Sequence, residues 1–113
     1  MPGISIHVVD VSRGIVAAGM KIDLLRDGQV IASGNVGAKG LLEDAALAAR
    51  FAPGYYEARF HVGDWYRQQG VALPAVPFLE AVSYRFGISD SEQHYHLPFK
   101  CTPWGYSCFR GGA

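Results

Sequence analysis

Apolar and polar residues alternate with a period of two along most of this chain. The apolar runs are short and are separated by turn signals about every ten residues, which predicts an all-β sandwich. Ile4-Ser-Ile-His-Val-Val-Asp10 opens the series. Successive strand side chains point to opposite faces, so Ile4, Ile6 and Val8 are expected in the core and Ser5, His7 and Val9 on the other face. Residues 20–26 and 29–33 flank Asp27-Gly28, a two-residue hairpin signal, and are expected to pair antiparallel. The Gly/Ala-rich stretch 34–53 predicts only a short strand over 40–43 and an irregular approach to Pro53-Gly54. Residues 55–62 alternate again. Asp64 is then expected to cap one or two helical turns over 65–69, stopped by Gly70 and followed by a loop containing Pro74 and Pro77. Strands over 81–88, 94–101 and 104–110 complete the set.

A chain of 113 residues, half of them hydrophobic, has enough material for one core, so a single domain over 1–113 is expected. Ten basic and ten acidic residues cancel, and without a basic surplus neither nucleic acid nor an anionic membrane is an expected partner. No apolar run approaches the roughly 20 residues of a membrane span, and Met1-Pro-Gly-Ile4 lacks the features of a secretion signal; the expected location is the cytoplasm. Cys101 and Cys108 flank Pro103-Trp104-Gly105, a spacing that places them near each other across a hairpin. In a cytosolic chain they read as small reduced thiols. Tyr95, Leu97, Phe99, Trp104, Tyr106 and Phe109 load both faces of the last two strands, more apolar surface than a lone small domain covers, so self-association is expected.

Imidazole is the side chain best suited to moving protons near neutral pH, which makes the histidines the candidate chemistry. His7 lies on the non-core face of its strand, and His94, His96 and Pro98 share one face of theirs. A zinc site on His94 and His96 lacks a third ligand block. His61 reads as structural.

Four blocks carry a resemblance across nearly the whole chain. They are Ile6-His-Val-Val-Asp10 with Arg13-Gly14, Pro53-Gly-Tyr-Tyr-Glu57, Phe60-His-Val-Gly-Asp64, and the closing His94-Tyr-His-Leu-Pro-Phe-Lys-Cys-Thr-Pro-Trp-Gly-Tyr-Ser-Cys-Phe-Arg-Gly111. Together they resemble the 5-hydroxyisourate hydrolases, enzymes related to transthyretin, whose chains end H-Y-H-x-P-L-L-L-S-P-x-G-Y-S-T-Y-R-G-S. The resemblance implies a transthyretin-like sandwich of two four-stranded sheets with one short helix. It also implies a homotetramer with sites shared between subunits, no cofactor, and a purine-derived small-molecule substrate whose six-membered lactam ring is opened by histidine-assisted water attack. The family's catalytic histidines carry over to His7 and His96, either of which could be the base. His94 is placed to orient a neighbour, Arg110 to bind substrate or support the terminal loop, and Ser107 corresponds to a serine shared with transthyretin.

The departures are in polar pocket groups. An ungapped count back from Pro53-Gly54 puts Gly40 on the glycine of the family's N-x-D-G-R segment and Leu41 on its arginine; a slipped alignment from Asn35 offers Lys39 instead. Either change removes the planar fork that arginine presents to a carbonyl-rich ring. Gly112 replaces the terminal serine, and Phe109 replaces a tyrosine. Three readings follow: a hydrolase of an N-methylated 5-hydroxyisourate of the kind methylxanthine oxidation produces, an ordinary 5-hydroxyisourate hydrolase, or a non-catalytic binder of aromatic small molecules.

Overall fold

The structure, a computed structural model, describes residues 2–112; Met1 and Ala113 lie outside it. Within those residues the order is β1 (Gly3–Asp10), β2 (Ile15–Val16), β3 (Lys21–Arg26), β4 (Gln29–Asn35), a 3-10 turn (Ala45–Ala48), β5 (Gly54–Phe60), α1 (Val62–Gln68), β6 (Val82–Ile88), β7 (His94–Thr102) and β8 (Gly105–Cys108). Two four-stranded sheets result, β2-β1-β7-β8 and β4-β3-β5-β6. The sandwich is therefore transthyretin-like in its layers, as expected, with one short helix. β1 and β7 run parallel, and the other neighbours in both sheets are antiparallel.

The alternation is realised as read. Ile4, Ile6 and Val8 are buried while Ser5, His7 and Val9 are half-buried on the opposite face. Between the sheets, Phe60 of β5 and Phe99 of β7 stack with ring centroids 3.8 Å apart. Burying each such side chain contributes about 1.5–3 kcal/mol. Asp27 has φ 51° and Gly28 φ 77°, the backbone that a two-residue turn between right-twisted strands requires. Asp10 continues the inward parity of β1 and is fully buried. Its carboxylate accepts from Ser12 N–H (3.0 Å), the Ser12 hydroxyl (2.5 Å), Arg13 Nε (2.7 Å) and the Tyr66 hydroxyl (2.8 Å).

Three expectations are corrected. The strand over 40–43 is only a pair of single bridges, Val36 to Leu42 and His7 to Leu41, because 37–40 turn tightly and Gly40 sits at φ +84°. The eighth strand is instead β2, two residues long and too short to show alternation. Asp64 does not cap the helix. α1 starts at Val62, the His61 carbonyl accepts from Trp65 N–H (3.2 Å), and Asp64 lies inside the first turn, where its charge suits the helix dipole and pairs with Arg67 (2.8 Å).

Cys101 and Cys108 are both free. They face Tyr106 and Phe99 respectively rather than each other, and burial pushes each thiol up to about 11. Of the six aromatic and apolar residues near the C-terminus, Tyr95, Leu97 and Phe99 are buried and Trp104, Tyr106 and Phe109 are exposed. No helix among the described residues is long and apolar enough to cross a membrane.

Candidate active site

Four chain segments meet on the outer face of the β2-β1-β7-β8 sheet. The parallel register sets Gly3 beside His94, Ser5 beside His96 and His7 beside Pro98. With alternation, that register turns Ser5, His7, His94, His96 and Pro98 to the same side. Leu41 joins from beyond β1 through its bridge to His7, and Gly111 joins from beyond β7, its N–H donating to the His96 carbonyl (2.7 Å).

Two glycines give the imidazoles their room. A Cβ on Gly40 would lie 2.6 Å from His7 Nε2 and 2.8 Å from Val16 Cγ1, and a Cβ on Gly111 would lie 2.8 Å from His96 Cδ2. Each ring thus packs on bare backbone. His7 Nε2 donates to the Lys39 carbonyl (3.2 Å), and since a carbonyl cannot donate, that contact keeps a proton on Nε2. His96 is half-buried. Burial, followed by the nearby His7 and His94 rings, holds its pKa below the ordinary imidazole value.

Ser5 stands between two of the rings. Its Oγ lies 2.8 Å from His94 Nε2 and 2.6 Å from His96 Nδ1. Strand parity alone puts Ser5 on the His7 face and gives it no role; only the parallel pairing of strands some 90 residues apart puts it beside His94 and His96. Gly40 and Gly111, both glycines of the family motifs, are the surfaces on which the rings rest.

The other candidates are distributed unevenly. Leu41 is beside His7, whereas Lys39 contacts His7 through its carbonyl and not its ammonium. Arg110 lies over the Tyr95 ring at 4.0 Å and donates to Gln93 Oε1 (2.9 Å) and the His94 carbonyl (3.3 Å). Because Tyr95 faces the core, Arg110 is held on the side of β7 away from His96, where it ties down the terminal segment. Ser107 pairs with Lys100, four residues along β7 from His96, or about 13 Å at strand rise. Gly112 is exposed just beyond the Gly111 bridge. His61, between β5 and α1, contacts the other sheet: its Nε2 is 2.8 Å from Asp23 Oδ2, and Ser33 donates to the same carboxylate (2.6 Å).

A cleft of about 410 Å³ opens along this face, lined by Ser5, Leu41, Leu47, His94 and the carboxylates Glu43 and Asp44. A more enclosed cavity of about 310 Å³ at the β3–β4 hairpin, with Arg26, Tyr56 and Arg85 in its wall, contains none of the histidines. No three His, Cys, Asp or Glu side chains among the described residues are placed to share a metal ion. Imidazoles beside an apolar wall can take a proton from water and return it to a leaving group.

Known proteins share this architecture and much of the sequence. A family described as "HIUase/Transthyretin family" matches residues 4–111. The chain is 44% identical over 110 residues to 5-hydroxyisourate hydrolase 2 of Rhizobium meliloti, covering 93% of this chain and 92% of that protein. It is 39% identical over 116 residues to the 5-hydroxyisourate hydrolase of Pseudomonas aeruginosa, covering 98% and 92%. Among solved structures, the Klebsiella pneumoniae 5-hydroxyisourate hydrolase superposes with a TM-score of 0.83 at 30% identity, covering 99% of this chain and 94% of that one. An (S)-allantoin synthase superposes with a TM-score of 0.87 at 30% identity, covering 97% of this chain and 43% of that one. With the family match spanning nearly the full length and the overall fold in agreement, this chain belongs to the HIUase/transthyretin family.

Proposed function

We propose that this protein is a hydrolase that opens the six-membered lactam ring of a 5-hydroxyisourate-type purine oxidation product, and that its pocket favours an N-methylated form of that ring. The observation that carries the reading is Leu41 set beside His7 on the face that also presents His96. The proton-handling pair is retained while the neighbouring position is apolar. Relatives at 44% and 39% identity named as 5-hydroxyisourate hydrolases support the reaction class.

In this reaction water attacks a lactam carbonyl carbon as an imidazole takes its proton, giving a tetrahedral oxyanion. Collapse reforms the carbonyl and breaks the ring C–N bond, and the departing nitrogen receives a proton from an imidazolium. His7 and His96 share these proton transfers; general-base help of this kind is worth about 10²- to 10⁴-fold. Arg110 supports the terminal segment rather than binding substrate, Ser107 lines the same face further along, and Gly112 leaves that segment without the family's terminal hydroxyl.

Leucine leaves ring N–H and carbonyl edges without a charged partner, but it packs well on N-methyl groups, each worth roughly 0.8 kcal/mol when buried. Such rings arise when methylxanthines are oxidised. The enzyme works without a cofactor, in the cytoplasm, as a homotetramer with sites shared between subunits. The exposed Trp104, Tyr106 and Phe109 are the surface that assembly covers, and Trp104→Glu would shift sedimentation toward smaller species.

The test is the decay of freshly generated 5-hydroxyisourate and of its trimethylated analogue, followed by ultraviolet absorbance with and without the protein. Faster decay of the methylated compound is expected. Preference for the parent compound would make this an ordinary 5-hydroxyisourate hydrolase, and no acceleration of either would make it a binding protein.

A further inference from the structure

The Ser5 hydroxyl has one proton to give, yet it lies within hydrogen-bond distance of two imidazole nitrogens, His94 Nε2 at 2.8 Å and His96 Nδ1 at 2.6 Å. Both bonds form only if one ring nitrogen accepts the hydroxyl proton and the other donates its own N–H to Oγ. The hydroxyl therefore couples the two rings, and in a neutral site it allows two arrangements. In the first, Ser5 donates to His94 and His96 Nδ1–H donates to Ser5, so that His96 Nε2 is left with a lone pair. In the second every direction is reversed, and His96 Nε2 carries the proton.

We infer that Ser5 is a positioning residue that holds His96 in the first arrangement and so makes His96 the proton acceptor of the site. The inference deepens the hydrolase reading by choosing between the two histidines. Three observations favour it. His7 Nε2 already carries a proton, held by the Lys39 carbonyl, so that nitrogen cannot accept another. The His96 ring packs on the bare backbone of Gly111 through Cδ2, the carbon next to Nε2, which fixes where that nitrogen sits. No buried side-chain nitrogen or oxygen among the described residues lacks a hydrogen-bond partner, and His96 Nε2 makes no protein bond, so this nitrogen is accessible to solvent water, although His94 and not His96 lines the cleft.

The same chain disposes of the proton. When His96 Nε2 takes a proton from water, the Nδ1 proton can pass to Ser5 Oγ as the Ser5 proton passes to His94 Nε2. His96 is then neutral again, with its proton on Nε2, and His94 carries the charge. Reversal of both transfers restores imidazolium at His96, which gives the Nε2 proton to the departing ring nitrogen. No proton is gained or lost along the chain.

The test is nitrogen-15 NMR of the histidine rings in the full-length protein without substrate, on wild type, Ser5→Ala and Ser5→Thr. The expected wild-type spectrum has His96 protonated on Nδ1 and unprotonated on Nε2. Ser5→Ala loses that preference, and Ser5→Thr, which keeps the hydroxyl, restores it. In steady-state kinetics Ser5→Ala is expected to lower kcat about 10-fold or more with little change in KM, a part of the general-base contribution. A wild-type His96 protonated on Nε2, or a tautomer unchanged in Ser5→Ala, would overturn the inference. Because the spectra need no substrate, absence of turnover would count against the hydrolase reading and leave the tautomer assignment to be decided by NMR alone.

Discussion

Leu41 faces His7 across a single antiparallel bridge. Val8 N–H donates to the Gly40 carbonyl (2.8 Å) on one side of it and Leu42 N–H to the Ile6 carbonyl (3.0 Å) on the other. Partners in such a bridge project to the same face, so an apolar side chain stands where it meets whatever the imidazole acts on.

Exchanging that side chain should exchange the preference. Leu41→Arg is expected to raise kcat/KM on unmethylated 5-hydroxyisourate by about 10-fold or more, since a charged hydrogen bond is worth about 1.5–3 kcal/mol, and to lower it on the trimethylated compound. The ratio of the two rates on wild type and variant is the measurement. An unchanged ratio would remove position 41 from the specificity argument.

Gly111→Ala probes the support of His96. A methyl group 2.8 Å from Cδ2 has to displace the ring, and misplacing a catalytic group by about 1 Å can cost about 100-fold. The expected result is a fall in kcat toward that size. Thermal unfolding should change little, because half-buried Gly111 lies in the terminal segment outside the hydrophobic core. A variant with full activity would show that the ring tolerates the shift.

The depressed pKa of His96 has a sign that can be checked. Burial comes first among its causes and the His7 and His94 rings second, so the folded protein keeps His96 neutral below the ordinary imidazole value of about 6.5. The acid limb of kcat/KM is therefore expected below that pH. His94→Gln, which removes one positive neighbour, should move it upward. Since the unfolded chain binds this proton at higher pH than the folded one, the neutral ring's contribution to stability is complete above the ordinary value. It is lost as pH falls through the window below it.

Asp10 gives a stability prediction. Burial works to raise its pKa, but hydrogen bonds from Ser12, Arg13 and Tyr66 outweigh burial and hold it below the usual carboxylate value. Asp10→Ala would leave Arg13 and the buried Tyr66 hydroxyl without their acceptor and is expected to cost about 3–5 kcal/mol in urea unfolding at neutral pH. A depressed carboxylate stabilises above its unfolded pKa of about 3.9 and stops doing so as pH falls through the folded value. The difference between wild type and variant should accordingly shrink in that acid range; a constant difference would mean that packing, not charge, holds the site.

Much of the candidate site was legible because its positions follow from strand parity. Ser5 and His7 on one side of β1, and His94, His96 and Pro98 on one side of β7, need only the period of two. The segment carrying Leu41 was not legible in that way. It is shaped by a turn over 37–40 and touches β1 through one bridge, with too few residues to show a pattern. Asp64 carried a capping signal that the helix ignored, since the chain had already turned helical at Val62 and the His61 backbone takes the cap position. For Arg110 the family motif implies either substrate binding or support of the terminal loop; its contacts with the Tyr95 ring, Gln93 and the His94 carbonyl depend on how the segment after β8 folds back on β7, which no local pattern shows.

The sequence by itself determined the local matters: which residues alternate, where the chain turns at Asp27-Gly28, which face of each strand is apolar, and which family motifs are present. Those depend on backbone preferences and on side chains within a few positions of one another. Only the tertiary structure decided which distant side chains meet: Ser5 with His94 and His96, Leu41 with His7, Gly111 under His96. Their relative placement is set by the parallel pairing of β1 with β7 and by bridges between segments far apart in the chain. That register is fixed by burying both strands' apolar faces in one core, a condition no local stretch of sequence can impose.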